Sequence, residues 1–286
     1  MSNNDQTSET ASPSALQGLT VLVTRPEHQS ATFVENLLQA GAVPLLQPVI
    51  KITRCDSADK KKSIQTALSQ IDQYDTLVFV SSNGVSCFAE ECESLGIPPS
   101  TIARKQLIAI GASTQSTLRT TLLRDSWGQS RKQLPAIQIS IPQTANSESL
   151  AELLIRHHSD QRLLILRGNR GSSVLAERLV KNNVSSDELV IYQSLDVAAF
   201  KPEIAAKLSH GSIDWVTLTS SASATRFFQL AKPLINLDDP QFKIASISPT
   251  TSQAIRDAGF IVDAEASRYD IVGMMDAMSL AEAGQG

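Results

Sequence analysis

The chain has 286 residues, 42% of them apolar, and a formal net charge of −4. That is enough material for two ordinary domain cores, and no apolar run approaches the roughly 20 residues of a membrane span. The acidic balance and the 5% aromatic content exclude a broad nucleic-acid footprint and stacking platforms for single strands.

In chain order, Met1–Ser14 is polar and lacks a cationic start followed by an apolar block. It reads as a disordered tail rather than a secretion signal. Thr20–Arg25 (TVLVTR) is a β-rich run, and Phe33, Val34, Leu37 and Leu38 then mark one helical face that Gly41 is placed to end. Val43–Thr53, with Pro44 and Pro48, reads as an extended segment. Cys55, Cys87 and Cys92 are odd in number and lack metal-ligand spacing, which suits free thiols in a reducing cytoplasm. Lys60–Lys62 is a solvated helix start. Asp75–Ser82 (DTLVFVSS) is an apolar strand closed by a serine pair, and Ile108–Thr114 is a short strand running into a hydroxyl-rich helix start.

About 142 residues after the first block the pattern returns. Arg162–Arg167 (RLLILR) matches Thr20–Arg25, Leu175, Ala176, Leu179 and Val180 repeat the helical face, and Asn183 stands at the place of Gly41. Asp187–Val197 repeats the extended segment. Asp214–Ser221 (DWVTLTSS) matches Asp75–Ser82, with Phe227 following as Phe88 does. Ala245–Thr251 matches Ile108–Thr114, and more weakly Ser267–Met275 matches Asn146–Leu154. Each copy alternates strands of about five residues with longer helices, which predicts an α/β protein of two domains with parallel sheets, related by internal duplication. The two extended segments fall at equivalent seams. They allow a tandem of two domains, or a two-stranded connector with one domain built from both chain ends.

In open parallel sheets, ligands bind beyond the carboxyl ends of the strands. Here those ends are Thr24-Arg25, Ser81-Ser82-Asn83, Gly111 to Thr114, Arg167-Gly168-Asn169, Thr219-Ser220-Ser221 and Ser248 to Thr251. Singly, such hydroxyls are ordinary helix caps. Six ends in two copies predict helix N-termini that offer N–H donors to a ligand rich in carboxylates or phosphates. There is no GxGxxG, no GxxxxGK[ST], no GxSxG and no HExxH, and His157-His158 reads as a helix end. Chemistry must therefore rest on orientation, dipoles and hydroxyls.

These marks resemble the uroporphyrinogen-III synthase family. They are Thr24-Arg25-Pro26, Ser81-Ser82-Asn83-Gly84-Val85, Ile110-Gly111 with Thr114, and Leu166-Arg167-Gly168-Asn169 with Gly171. Ile191-Tyr192-Gln193, Thr219-Ser220-Ser221 and Pro249-Thr250-Thr251 complete the set. The resemblance runs from about Leu19 to about Met278. It departs from the family's usual pattern at Ser248, near Ser172 and at Ala222-Ser223. It implies two flavodoxin-like domains joined by a two-stranded β linker: residues 17–44 plus 199–280 as the first domain, 55–186 as the second, 45–54 and 187–198 as linker strands, and 1–16 as the tail. It implies no metal and no organic cofactor, and a cleft that takes hydroxymethylbilane and releases uroporphyrinogen III with ring D inverted; because that cleft is complete within one chain, a monomer is expected, in the cytoplasm that the free thiols suggest. Tyr192, in the returning connector, is the implied acid, and it is equally suited to packing as a strand aromatic on a domain face; Ile50 stands at the matching place in the first copy. Arg25, Ser81, Ser82, Asn83, Gly111, Thr114, Arg167, Gly168, Thr219, Ser220, Ser221, Pro249, Thr250 and Thr251 are the implied substrate contacts. Arg167 is equally suited to bracing its own loop, and Thr114 and Thr251 to capping their helices. A two-lobed binding protein for a small anion is the rival from another class. A nucleotide-sugar transferase fits less well, because each copy is only about 120 residues.

Overall fold

The structure is a computed structural model, and it describes residues 14–122, 138–237 and 239–284. In chain order the elements are β1 (Thr20–Val23), α1 (Ala31–Gln39), β2 (Val43–Leu46), β3 (Ile50–Arg54), α2 (Ala58–Ser69), β4 (Thr76–Phe79), α3 (Ser82–Ser94) and α4 (Pro99–Ala103). Next come β5 (Gln106–Ala109), α5 (Ala112–Leu122), β6 (Ile139–Ser140), α6 (Ser147–His157), β7 (Leu163–Gly168), α7 (Val174–Lys181) and β8 (Ser186–Asp196). The last third holds α8 (Pro202–Ser209), β9 (Trp215–Leu218), α9 (Ser221–Ala231), β10 (Lys243–Ser246), α10 (Pro249–Asp257), β11 (Ala264–Glu265) and α11 (Ile271–Ala283). No helix among the described residues is long and apolar enough to cross a membrane.

Contacts divide the chain into two units: residues up to Lys51 together with Asp196 onward, and Ile52–Leu195. The first holds a sheet of order β2-β1-β9-β10-β11, and its pairings are parallel. Numbered within the unit this is 2-1-3-4-5, the flavodoxin-type order. The second unit's sheet runs β3-β8-β7-β4-β5-β6. With β7 taken as its first strand, its five parallel members have the same 2-1-3-4-5 order. Both are therefore doubly wound parallel sheets. Alternation along each strand feeds two cores: in β4, Leu77 and Phe79 face α3 and α5, while Val78 faces α6 and α7.

Equivalent residues do equivalent work in the two units. The Asp75 carboxylate accepts from Arg162 N–H and that of Asp214 from Thr20 N–H, so each aspartate anchors the start of the neighbouring strand. Gly41 (φ +75°) and Asn183 (φ +56°) both end helices in the left-handed conformation. Their N–H groups reach Leu38 O and Val180 O, and the next residues, Ala42 and Val184, donate to Leu37 O and Leu179 O. These paired bonds make the Schellman termination, which glycine or asparagine tolerates best.

The fold differs from the sequence reading in several places. Residues 15–18 form a turn and Leu16 is wholly buried in the first unit's core, so the folded chain begins before residue 17; residues 1–13 of the expected tail lie outside the described residues. The apolar faces of α1 and α7 are narrower than their periodicity suggested. Phe33, Leu37, Leu175 and Leu179 are buried, but Leu38 and Val180, one step further round, are 58% and 73% exposed. The expected linker strand 45–54 breaks in two, because β2 ends at Leu46 and β3 opens at Ile50. Pro48, which has no N–H to donate, sits in the gap, and the Gln47 side chain instead accepts from Lys201 N–H. Finally, the fourth repeat is three residues out of register. Asn146 caps α6 and Asp270 caps α11, so Asn146 corresponds to Asp270 and not to Ser267.

Candidate active site

In the second unit, strands β7 and β4 meet at the point where strand order reverses, the favoured ligand position in such sheets. Arg167 and Gly168 close β7, and Ser81, Ser82 and Asn83 follow β4. The register of β7 against β8 slips here, because Arg167 pairs with Val190 while Gly168 pairs with Tyr192. Such a bulge inserts one residue, Ile191, and re-aims the side chain beyond it. Asn169 holds the re-aimed segment from both sides. Its N–H reaches Tyr192 O, and its side chain exchanges hydrogen bonds with the backbone of Ser194 (Ser194 N–H to Oδ1 2.7 Å, Nδ2 to Ser194 O 3.4 Å).

Tyr192 is thereby brought over Gly168. A Cβ on Gly168 would stand 2.6 Å from the ring carbon that bears the hydroxyl and 2.9 Å from the hydroxyl itself, so only glycine leaves room for the phenol. Ser81 Oγ donates to the phenol oxygen at 3.0 Å and accepts from Gly84 N–H at 3.0 Å. Ser81 is also the N-cap of α3. The tyrosine is 8% exposed. Since its oxygen is occupied as an acceptor, its own O–H remains to donate.

Beside this phenol lies a pocket of about 130 Å³ lined by Arg167, Arg170, Gly171, Ser172, Glu188 and Tyr192, with Ser147 from the start of α6. Arg167 is not free in it: Nη1 pairs with Glu188 at 2.8 Å and Nε donates to Gly168 O, which braces the loop that seats the tyrosine. Sequence inspection passed over Glu188, Arg170, Ser147 and Ser172 as site residues. Glu188 carried no local signal, because the parallel pairing of β7 with β8 brings it to Arg167. Gly111, buried before α5, meets Ala145: a Cβ there would lie 2.7 Å from that methyl. Ser82, in the first turn of α3, approaches Ser113 in the first turn of α5 at 3.4 Å between hydroxyls.

The first unit repeats this edge with other contents. Ser220 caps α9, and Ser221 Oγ donates to Thr250 O, tying the starts of α9 and α10 together. Ser220 and Ser223 form a capping box, so hydroxyl and N–H groups satisfy one another reciprocally. Thr219 leads into that cap, and Pro249, Thr250 and Thr251 form the first turn of α10. The cap of α10 is Ser248. Thr251 is 2% exposed with its hydroxyl 3.1 Å from that of Ser248, and Thr114 is buried at the equivalent place in α5. Both threonines therefore lie at the third helical position and do not cap their helices. Arg25, after β1, hydrogen-bonds Gln29 through Nε, and burial lowers its pKa from the ordinary arginine value. Thr24 and Thr217 are wholly buried and bond the backbone of their partner strands.

The three cysteines are buried free thiols in the second unit, with Cys87 pushed up to about 11 and Cys92 to about 12, chiefly by burial. They stand apart from the pocket.

The family model described as uroporphyrinogen-III synthase HemD matches residues 31–276. The uroporphyrinogen-III synthase of Chlorobaculum parvum is 27% identical over 268 residues, 92% of this chain and 98% of that protein. The porphyrin biosynthesis protein HemD of Ruminiclostridium josui is 24% identical over 220 residues, and the matched part spans only 40% of its length. A solved structure of a mutant uroporphyrinogen III synthase from Thermus thermophilus covers 93% of this chain and all of its own at a TM-score of 0.62 and 18% identity, a likeness of fold. With its model matched over most of the residues, the chain belongs to the uroporphyrinogen-III synthase family.

Proposed function

We propose that the protein cyclises hydroxymethylbilane to uroporphyrinogen III as a hydro-lyase, with Tyr192 as the acid for loss of the hydroxyl. The observation that carries this reading is the phenol at the carboxyl edge of the second unit, fixed over Gly168 with its oxygen accepting from Ser81 and its proton left to donate. The pocket beside it carries arginine and serine side chains suited to acetate and propionate groups.

In the first step the phenol proton passes to the departing hydroxyl. The C–O bond breaks with its electron pair on oxygen, water leaves, and the pyrrole nitrogen supplies electrons to form an azafulvenium. The substituted α-carbon of ring D attacks it to give a spiro intermediate. That intermediate fragments to a second azafulvenium, which recloses through the other α-carbon of ring D. The proton lost there as the ring regains aromaticity returns to the tyrosinate, so the balance is one water released. Closure without the enzyme gives the uninverted type I isomer, so most of the protein's task is holding geometry.

In this reading the hydroxyl-rich edge of the first unit, Arg25, Thr219 to Ser221 and Pro249 to Thr251, binds carboxylates through helix-start N–H groups. The units serve as the discontinuous and the central domain of a monomer that needs no cofactor and works in the cytoplasm. The test is to add purified, chelator-treated protein to freshly generated hydroxymethylbilane and separate the product isomers. Type III product is expected. Type I alone, as in the absence of protein, would leave the rival reading of a non-catalytic anion-binding protein.

A further inference from the structure

We propose that Ser81 is a positioning residue for the reaction: it aims the Tyr192 proton by occupying the phenol oxygen. This rests on the reading of Tyr192 as the acid. A phenol that can rotate about its C–O bond presents its proton to any acceptor nearby. Here one direction is taken, because Ser81 Oγ donates to the phenol oxygen at 3.0 Å. Ser81 is itself kept in that sense by Gly84 N–H, which donates to the same Oγ at 3.0 Å and directs the serine proton outward, toward the tyrosine. The polarity therefore runs from the first turn of α3 through one hydroxyl to the other. It ends with the tyrosine proton as the one not engaged in the chain.

The residue at Gly84 decides whether Ser81 is available for this task. In the first unit the matching position is Ser223, whose hydroxyl bonds both Ser220 Oγ and Ser220 N–H, so the cap closes on itself. Gly84 has no side chain to compete, and Ser81 reaches across 111 residues of sequence to the tyrosine instead. Capping alone does not require this arrangement, since Ser220 caps as well without it.

The inference is tested by Ser81→Gly, Ser81→Asp and Ser81→Thr, each in the native and the Tyr192→Phe backgrounds, with kcat and KM for type III formation measured on full-length protein. Glycine is tolerated at an N-cap, aspartate caps but has no proton to give at neutral pH, and threonine keeps the hydroxyl. Ser81→Gly and Ser81→Asp are expected to lower kcat about tenfold or more with KM within about twofold, and Ser81→Thr to recover most of that loss. In the Tyr192→Phe background the same changes are expected to alter kcat by less than about twofold, because the group they act through is gone. Equal losses in both backgrounds, or a Ser81→Asp protein with undiminished kcat, would overturn the positioning role while leaving the acid in place. Wild-type turnover by Tyr192→Phe alone would remove the acid reading, and this inference with it.

Discussion

Helices α3 and α9 begin alike: strand, serine pair, and an N-cap hydroxyl that accepts from the third helical residue. They differ at that third residue. Ser223 closes a capping box on Ser220, whereas Gly84 leaves Ser81 free to bond Tyr192. The strand two places over in that sheet, β8, differs too, since its Tyr192 has only Ile50 at the matching sequence place in the first copy. One edge spends its hydroxyls on its own helix ends, and the other links a helix start to a phenol. In the proposed reading, duplicated halves share topology and helix-start donors while the acid stands on one of them, and the deciding change is the loss of a side chain as much as the gain of one.

Several substitutions sharpen or break that contrast. Tyr192→Phe is expected to reduce kcat by about 10²–10⁴-fold, the usual range for a lost general acid, with the fold kept. Ile50→Val should leave turnover unchanged and cost about 1 kcal/mol in denaturant unfolding, as a trimmed buried methyl does. Equal effects on activity would erase the distinction between the two copies.

Gly168→Ala drives a methyl into the phenol, and a displacement of about an ångström there predicts a loss near 10²-fold in kcat. It should also cost about 1–3 kcal/mol from overpacking. Gly84→Ser would copy the first unit's capping box into the second. Its Cβ would lie 3.3 Å from Ser81 Oγ, and a hydroxyl there draws Ser81 from the tyrosine, so kcat should fall about tenfold with little loss of stability. The reverse change, Ser223→Gly, should cost about 1 kcal/mol of stability and spare turnover.

The smallest contrast concerns α6 and α11, capped by Asn146 and Asp270. Either residue changed to alanine should cost about 1 kcal/mol at pH 7. The Asp270 carboxyl is held below its usual range, first by the Gly273 N–H and then by Arg268. Its contribution is therefore complete above the ordinary carboxylate range and is lost as the pH falls through the lower folded value. The Asp270→Ala penalty should shrink in unfolding curves taken at falling pH, while the Asn146→Ala penalty, from an uncharged cap, should stay constant.

Much of the architecture was legible because it repeats and because it is local. Asn183 at the place of Gly41 announced a left-handed helix end, and the serine pairs announced capped starts beyond strands. What escaped was set by partners distant in sequence. Nothing near Arg167 reveals that Glu188 holds it, and nothing near Ser81 reveals its bond to Tyr192. Leu38 and Val180 matched a helical period, yet how far a core wraps around a helix depends on its neighbours. Thr114 and Thr251 looked like caps because hydroxyls favour helix starts. Which residue caps depends on where the turn begins, and Ser248 takes that place in α10.

The most direct measurement is the isomer composition and rate of product formed from freshly generated hydroxymethylbilane by the wild-type protein and by Tyr192→Phe, side by side. The wild type should give type III product, and the variant should give it at least about 10²-fold more slowly, with type I accumulating from uncatalysed closure. Type I alone from the wild type, or equal type III rates from both, would contradict the account.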